Sequence, residues 1–487
     1  MTIAHGAVIG LDVGTGGARA TAIDLDGEFL AEGTSRLPAE ATTVDGPHVE
    51  QHPAAWSAAA QNALQTLTDS LPAHVTILGV SVDATSGTFL FVDQQHRPLT
   101  PGYMYNDQRA VDVTPEVAGA LDSVLTRYGI HIAASFALPK IVHLVRRQPN
   151  LAQRGHRIVH QTDWIVGMLC GEYDTTDIST ALKTGADPGT LTWPAVIERL
   201  GVPLGMLPRL VLPGTPIGQV TSEAHQQTGL PIGTPVVAGC TDGTAGCLAS
   251  GARATGDLNV TLGTTLVFKA IADQPLMDPE GAIYNHRHPA GGYLPGAASS
   301  TGGEWIDKYF PGADLDQLGR EARAHLPTRA TVYPLVKVGE RFPFVWPQAR
   351  GFGLDTLPDP AVRFAAGMEA VAYLERLGIE RFEQLGLRIG PTVYATGGGS
   401  ASDVWLQIRA SVSRRTLAVP VYAGCSLGAA VLAAIPTLGS CQEAVARLVR
   451  LGRTIEPAPG WTDWYDDMYA RFKQVLLSVA GQPRGDA

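Results

Sequence analysis

Strand–Gly-Thr–strand occurs twice in this chain, at Gly14-Thr15 and again at Gly263-Thr264, and each time it opens one half of the sequence. A local pattern that restarts at matching places argues for two related domains rather than one core. Length points the same way, because 487 residues exceed the ~250–300 beyond which a single core usually splits. Around the first turn, residues 7–11 and 18–25 read as strands, and Asp26-Gly27 marks a hairpin before a third strand at 28–32. Trp56, Ala59, Leu64 and Leu67 recur at helical spacing and predict a helix over residues 53–70. Short apolar strands follow at 77–82 and 89–92, and another at 234–239 runs into a small-residue helix ending near Gly251. We place the domain boundary just after it, giving domains 1–252 and 253–487. The second half holds strands at 258–262 and 266–271, a long helix at 360–387, and a strand at 392–395 that meets Gly397-Gly398-Gly399. Helices at 402–412 and 427–435 complete it. Strands alternating with helices in both halves predict an α/β class.

Composition narrows the partners. Charged residues make up 17% of the chain with no run of like sign, which excludes a disordered or solvated-tail protein. The balance of 36 basic against 46 acidic residues, net −10, disfavours nucleic acid and anionic membrane as main partners. It leaves an anionic small ligand open, since backbone amides bind phosphate without net positive charge. Glycine is in excess, 55 of 487 or about 11% against a usual ~7%, and clusters in short loops. Five cysteines (Cys170, Cys240, Cys247, Cys425, Cys441) are odd in number, widely spaced and without a Cys-x-x-Cys pair, as expected of reduced intracellular thiols. The N-terminus is too soon charged for a signal peptide. The longest apolar stretch, about 427–438, is shorter than the ~20 residues that span a bilayer. A soluble, cytoplasmic protein is expected.

Four stretches can carry chemistry. In Asp12-Val13-Gly14-Thr15-Gly16-Gly17, a glycine-rich turn can present backbone N–H groups to a phosphate, and the strand-end Asp12 can hold a metal through water. The same residues also fit an ordinary hairpin whose Asp12 caps the turn. No Gly-Lys-Ser/Thr follows and the next element is a strand, so this is neither a Walker loop nor a dinucleotide fingerprint. Gly263-Thr264-Thr265 repeats the pattern, and two such turns facing one another could hold the β- and γ-phosphates of a nucleotide. Asp242 follows an apolar strand at the start of a helix. It suits a base that takes the proton of an attacking hydroxyl, or equally a helix N-cap, with Thr241 and Thr244 as competitors. Thr396-Gly397-Gly398-Gly399-Ser400 suits a planar ring stacked on backbone, or a flexible loop. His286 and His288 read as a solvated or core pair, having no third ligand nearby.

Taken in order, these stretches resemble the FGGY carbohydrate kinases, from Val8 to about Ala434. The first turn resembles that family's first phosphate motif, and Thr261-Leu262-Gly263-Thr264-Thr265 its second. Val49-Glu50-Gln51-His52-Pro53-x-x-Trp56 resembles its Glu-Gln-x-Pro-x-x-Trp stretch, and Leu138-Pro139-Lys140-Ile141 its lysine signature, with His143 where Trp is common. Gly239-Cys240-Thr241-Asp242-Gly243, Gly339-Glu340-Arg341-x-Pro343, Gly367-Met368-Glu369 and Gly397-Gly398-Gly399-Ser400 complete the set. The resemblance implies an α/β fold of two actin-like (ribonuclease H-like) ATPase domains with an active-site cleft between them. It implies ATP and Mg²⁺ as cofactors, a small-molecule sugar as partner, and a monomer or homodimer. Asp242 would deprotonate the sugar hydroxyl, and Asp12 would orient substrate or Mg²⁺ through water. Gly14, Thr15 and Gly17 would meet one side of the phosphates and Gly263, Thr264 and Thr265 the other. Gly302, Gly303, Gly398, Gly399, Ser402 and Trp405 would form the adenine pocket.

On the sugar side, Asp83-Ala84-Thr85-Ser86-Gly87-Thr88 resembles the D-ribulose-type branch, where xylulose kinases usually have Gln-x-His-Gly. Thr85, Ser86 and Gly87 would contact substrate, as would Asn106 and Asp107 in Tyr105-Asn106-Asp107-x-Arg109, which is similar to the pentulose kinase Trp-Asn-Asp-x-Arg. The expected reaction is therefore ATP-dependent phosphorylation of a terminal ketopentose hydroxyl, D-ribulose before D-xylulose. A non-kinase actin-like ATPase scaffold is the reading from another class. Departures from the family pattern lie at Gly16 (serine in that branch), Ser402 (a common asparagine), Ser411 (usually Asp) and Ala423-Gly424, where a glutamate is frequent.

Overall fold

The computed structural model describes residues 6–480 as two compact units. The first comprises the chain up to Ala249 together with His286–Gly292 and Tyr422–Arg450; the second comprises Ser250–Asn285, Tyr293–Val421 and the chain from Leu451 onward. Both are α/β. The cut after Ala249 lies beside the expected one, and the first unit also takes in the later segment Tyr422–Arg450. The reason is packing: the helix Cys425–Leu438 is an apolar rod whose Leu427, Val431 and Leu432 are buried against Val8, Ile23 and Cys240 of the first unit.

The first unit is built on a six-stranded sheet in the order Pro216–Gln219, Pro235–Thr241, Thr76–Ala84, Gly6–Gly14, Gly17–Asp24, Phe29–Arg36. The central three run parallel. Buried parallel strands need apolar cover on both faces, and period-2 alternation sorts their side chains. Ile9, Leu11 and Val13 share a core with Trp56, Ala60 and Leu64 of the helix Pro53–Ser70. Val8 and Gly10 face the other way, toward Cys425–Leu438; a β-carbon on Gly10 would lie 1.8 Å from the Ser426 carbonyl oxygen. Only glycine lets that helix approach so closely. Asp12 continues this second face. The strand at 76–84 extends two residues past the expected 77–82, and this carries Asp83 onto the sheet. A smaller sheet of the same unit contains Phe89–Val92 paired with Arg157–His160.

The second unit's sheet includes, in order, Tyr293–Ala298, Leu266–Ala270, Leu258–Leu262, Thr392–Thr396, Thr416–Pro420 and Leu451–Ile455. The helices Pro360–Gln384 and Asp403–Ser413 share its core, in which Phe268, Trp305, Phe342 and Phe382 are buried. His286 and His288 are both buried. Among the described residues, no helix is long and apolar enough to cross a membrane.

Candidate active site

Three carboxylates converge at the carboxyl ends of the first unit's parallel strands, where open α/β sheets place their ligands. Register aligns Asp12 with Asp83, and Asp83 with Cys240, two residues before Asp242. Carboxylate oxygens of Asp12 and Asp83 and the Cys425 sulfur lie within 4.8 Å of one another. Asp83 is fully buried, and neither of its oxygens has a hydrogen-bond partner among the described residues. Burial, then the charges of Asp12 and Asp242, hold its carboxyl well above the usual range. Burial and then Asp242 push Asp12 up to about 6. A buried and a half-buried acid this close call for a shared proton or a cation. Their hard oxygen donors fit a divalent ion such as Mg²⁺. Cys425 does not belong to that donor set: burial and the three acids raise its thiol far above its ordinary value, and its S–H donates to the Asp242 carbonyl at 3.4 Å.

Asp242 resolves one alternative. It is the first residue of the helix Asp242–Leu248 and Thr241 is the N-cap, so Asp242 is not the cap itself. Its exposed carboxylate accepts from the Gly243 N–H at 2.6 Å. A relay fixes the strand that ends beside it: Asp177, buried and raised to about 6 by burial, accepts from Ser179, whose hydroxyl accepts the Thr241 N–H at 3.1 Å. Asp83, Asp177 and Ser179 were not among the expected site residues. Asp83 was legible only as one more strand-end acid; Asp177 and Ser179 gave no local signal.

The first glycine turn is braced from behind. Gln51 donates to the Thr15 carbonyl at 3.0 Å and to Thr42 at 2.9 Å, while its own oxygen accepts from the Trp56 indole at 2.7 Å. Leu37 N–H holds the Gly16 carbonyl at 3.0 Å. Gln51 and Trp56 of the Glu-Gln-x-Pro-x-x-Trp stretch therefore act as a support for the turn. Thr15 and Gly16 are exposed, Gly14 is half-buried, and Gly17 lies under the next strand, where a β-carbon would meet the Ser35 carbonyl at 2.3 Å.

The expected sugar contacts divide. Ser86 Oγ is buried without a hydrogen-bond partner among the described residues, and Asn106 is exposed. Thr85 is tied to Gln161 at 2.6 Å and to Thr88 at 2.8 Å. The buried Asp107 carboxylate accepts from the Val49 N–H and the Arg109 guanidinium, both at 2.7 Å, and Arg109 also reaches Glu50. Asp107 thus holds its loop in place. Lys140 donates to the Gly87 carbonyl at 3.1 Å and the Met104 carbonyl at 2.6 Å, joining the two sugar-side loops; burial pulls its amine down to about 7.

The second unit holds its own cavity of about 410 Å³, lined by Gly263, Thr264, Gly303, Gly398, Gly399, Ser402 and Trp405 among others. Thr265 and Gly302 stand behind it. A β-carbon on Gly302 would lie 2.4 Å from Thr265 Cα, so glycine there lets the two loops nest, with Gly303 N–H donating to the Gly263 carbonyl at 2.7 Å. Buried Glu340 fixes the preceding residues, accepting from the Ser299, Thr301 and Tyr333 hydroxyls at 2.8–3.0 Å. Ser402 is the N-cap of Asp403–Ser413, its hydroxyl accepting the Trp405 N–H at 3.2 Å. Trp405 gives its indole N–H to the Met368 carbonyl at 3.0 Å and packs edge-on to Trp305, forming floor rather than a polar contact.

The chain is 27% identical over 442 residues to the xylulose kinase of Escherichia coli (strain K12), covering 88% of this chain and 89% of that one. It is 27% identical over 505 residues to the autoinducer-2 kinase of Escherichia coli O9:H4 (strain HS), covering 97% and 94%. The crystal structure of xylulose kinase from Rhodospirillum rubrum superposes with a TM-score of 0.84 at 25% identity, covering 97% of this chain and 99% of that one. Residues 7–249 match the N-terminal domain, and residues 258–436 the C-terminal domain, of a single enzyme family. The chain belongs to the FGGY family of carbohydrate kinases.

Proposed function

We propose that this kinase transfers the γ-phosphoryl group of ATP to a terminal hydroxyl of a ketopentose, with D-ribulose as preferred acceptor. The observation that carries the phosphotransfer reading is the carboxylate cluster: an exposed Asp242 beside the half-buried Asp12 and the buried Asp83, which fit a cation. Asp242 accepts the hydroxyl proton as the new O–P bond forms, and catalysis rests on positioning and charge neutralisation. Asp12, through water, would hold Mg²⁺, which neutralises phosphate charge when bound. The Gln51 brace ties down the carbonyl side of the first turn, leaving its amide side for phosphate. Adenine fits the apolar cavity of the second unit. The chemistry then requires the nucleotide's γ-phosphate and the acceptor hydroxyl to meet during turnover.

D-ribulose is favoured by the Asp83–Thr88 loop, with the unpartnered Ser86 hydroxyl and the Lys140-held Gly87 carbonyl at hand for a polyol. D-xylulose is the second reading, favoured by the names of the relatives. The test is a panel of ketoses and polyols assayed for ADP release with ATP and Mg²⁺. We expect D-ribulose to give the highest kcat/KM, ahead of D-xylulose and glycerol. Asp242→Ala should lower kcat by at least about 10²-fold, as loss of a general base does. Retention of most activity in that variant would overturn the base assignment.

A further inference from the structure

Away from the carboxylate cluster, three loops of the first unit bring together His96, His156 and Asp174, whose candidate donor atoms lie within 4.8 Å of one another. We propose that these side chains form a second cation site, for a divalent transition metal of the zinc class, which ties the three loops together. All three residues are half-buried, and among the described residues neither imidazole hydrogen-bonds to the protein.

The backbone already holds the ligands in place. His96 sits in a tight turn, with Asp93 N–H donating to the Arg97 carbonyl and His96 N–H to the Asp93 carbonyl, both at 3.0 Å. Its φ of 57° is the left-handed conformation that glycine or asparagine takes more readily. Its ring stacks on Tyr173 at 4.6 Å, which fixes the plane of the imidazole. His156 N–H donates to the Val92 carbonyl at 2.8 Å, just before the strand register pairs Val92 with Arg157. Asp174 is fixed by its carbonyl, which accepts Arg209 N–H at 2.8 Å, and by its Oδ1, which accepts Arg157 Nε at 2.8 Å. A ligating carboxylate oriented by a second hydrogen bond is the usual outer support of a metal site.

Donor chemistry selects the ion. Two imidazoles and one carboxylate suit Zn²⁺, Co²⁺ or Ni²⁺, with a position left for water. The Arg157 guanidinium on Asp174 removes the surplus negative charge on which Mg²⁺ and Ca²⁺ depend. Around tetrahedral Zn²⁺, donors stand roughly 3.4 Å apart, a contraction within the reach of side-chain rotation here. The occupied site would join the turn at 93–97, the segment at 155–156 and the loop at 171–174. That loop leads into the strand ending at Asp177, the residue that fixes Ser179 and Thr241 beside the catalytic cluster.

The experiment uses full-length, tag-free, chelator-stripped protein in excess Mg²⁺, so that oxygen-only sites are filled. Co²⁺ is titrated while its visible d–d absorption is followed, and Zn²⁺ is added as competitor. One equivalent should bind with a tetrahedral-type spectrum and be displaced by Zn²⁺. Zn²⁺ should also raise the first unit's melting temperature by about 2–4 °C. His96→Asn keeps a residue at ease in the left-handed turn while removing the imidazole, and His156→Gln removes the second ligand. Each should weaken Co²⁺ binding by about a hundredfold or more while leaving the metal-free melting curve in place. Absence of saturable binding by the parent protein, or binding that survives in either variant, overturns the proposal.

Discussion

At the scale of single residues, the site depends on groups that never touch a reacting atom. Gln51→Leu keeps the volume but removes the tie on Thr15 and leaves the Trp56 indole N–H without its acceptor. We expect an intact fold by circular dichroism and a kcat/KM for ATP lower by about 10–100-fold, since a misplaced turn loses positioning. Asp12 predicts a pH dependence. Its folded pKa is raised to about 6 from 3.8, so its contribution to stability is fully present below 3.8 and is lost as pH rises through about 6. The cation-free protein should therefore melt higher at about pH 5 than at about pH 7.5, and Asp12→Asn should flatten that difference. Cation binding needs the carboxylate, so kcat/KM should fall below about pH 6, and more Mg²⁺ should move that limb to lower pH. Asp242, the glycine turns and the Gly397–Gly399 loop were legible because strand-end acids and glycine clusters mark themselves locally. His96, His156 and Asp174 were not, because folding alone brings together residues so far apart in sequence; the same holds for Asp177 and Ser179. Asp107 and Trp405 show what residue type alone leaves out, since the polar atoms of both are bound by protein.

At the scale of elements, alternation along a strand decides which acids meet. Gly10 and Asp12 share a face of the strand Gly6–Gly14, and the helix Cys425–Leu438 lies on that face close enough for Cys425 to reach the Asp242 carbonyl. Thr21 and Ser426 add a buried hydroxyl contact at 2.8 Å between sheet and helix. Gly10→Ala places a methyl 1.8 Å from the Ser426 carbonyl oxygen, which backbone must move to relieve. We expect a loss of more than about 2 kcal/mol, read as a lower unfolding midpoint. Gly16→Ala, with nothing within 4 Å of the new methyl, serves as the control and should leave the midpoint unchanged. Strand and helix positions followed from periodicity because local patterning sets them. The end of the strand at Ala84 did not, because Asp83 breaks the apolar run that sequence reading follows, while the neighbouring strands still pair with it.

At the scale of the whole molecule, chain order and folding unit part company. A division at residue 252 follows the restart of the strand–turn pattern, yet the first unit takes back Tyr422–Arg450. No local signal marks this, because an apolar helix reads the same whichever sheet it covers. Its energetic weight is large: burying Leu427, Val431 and Leu432 at ~1.5–3 kcal/mol each contributes roughly 5–9 kcal/mol, against a net stability of about 5–15 kcal/mol for a domain. Without that helix, Val8, Ile23, Cys240 and Ala245 would lose their apolar cover, and water would reach the face that carries Asp12 and Asp83. A fragment of residues 1–252 should accordingly show no cooperative melting transition and should bind a hydrophobic dye. The same fragment joined through a flexible linker to residues 422–450 should regain a cooperative melt. If residues 1–252 alone melted cooperatively near the parent temperature, this helix would be a surface addition. The carboxylate cluster would then stand on the sheet alone.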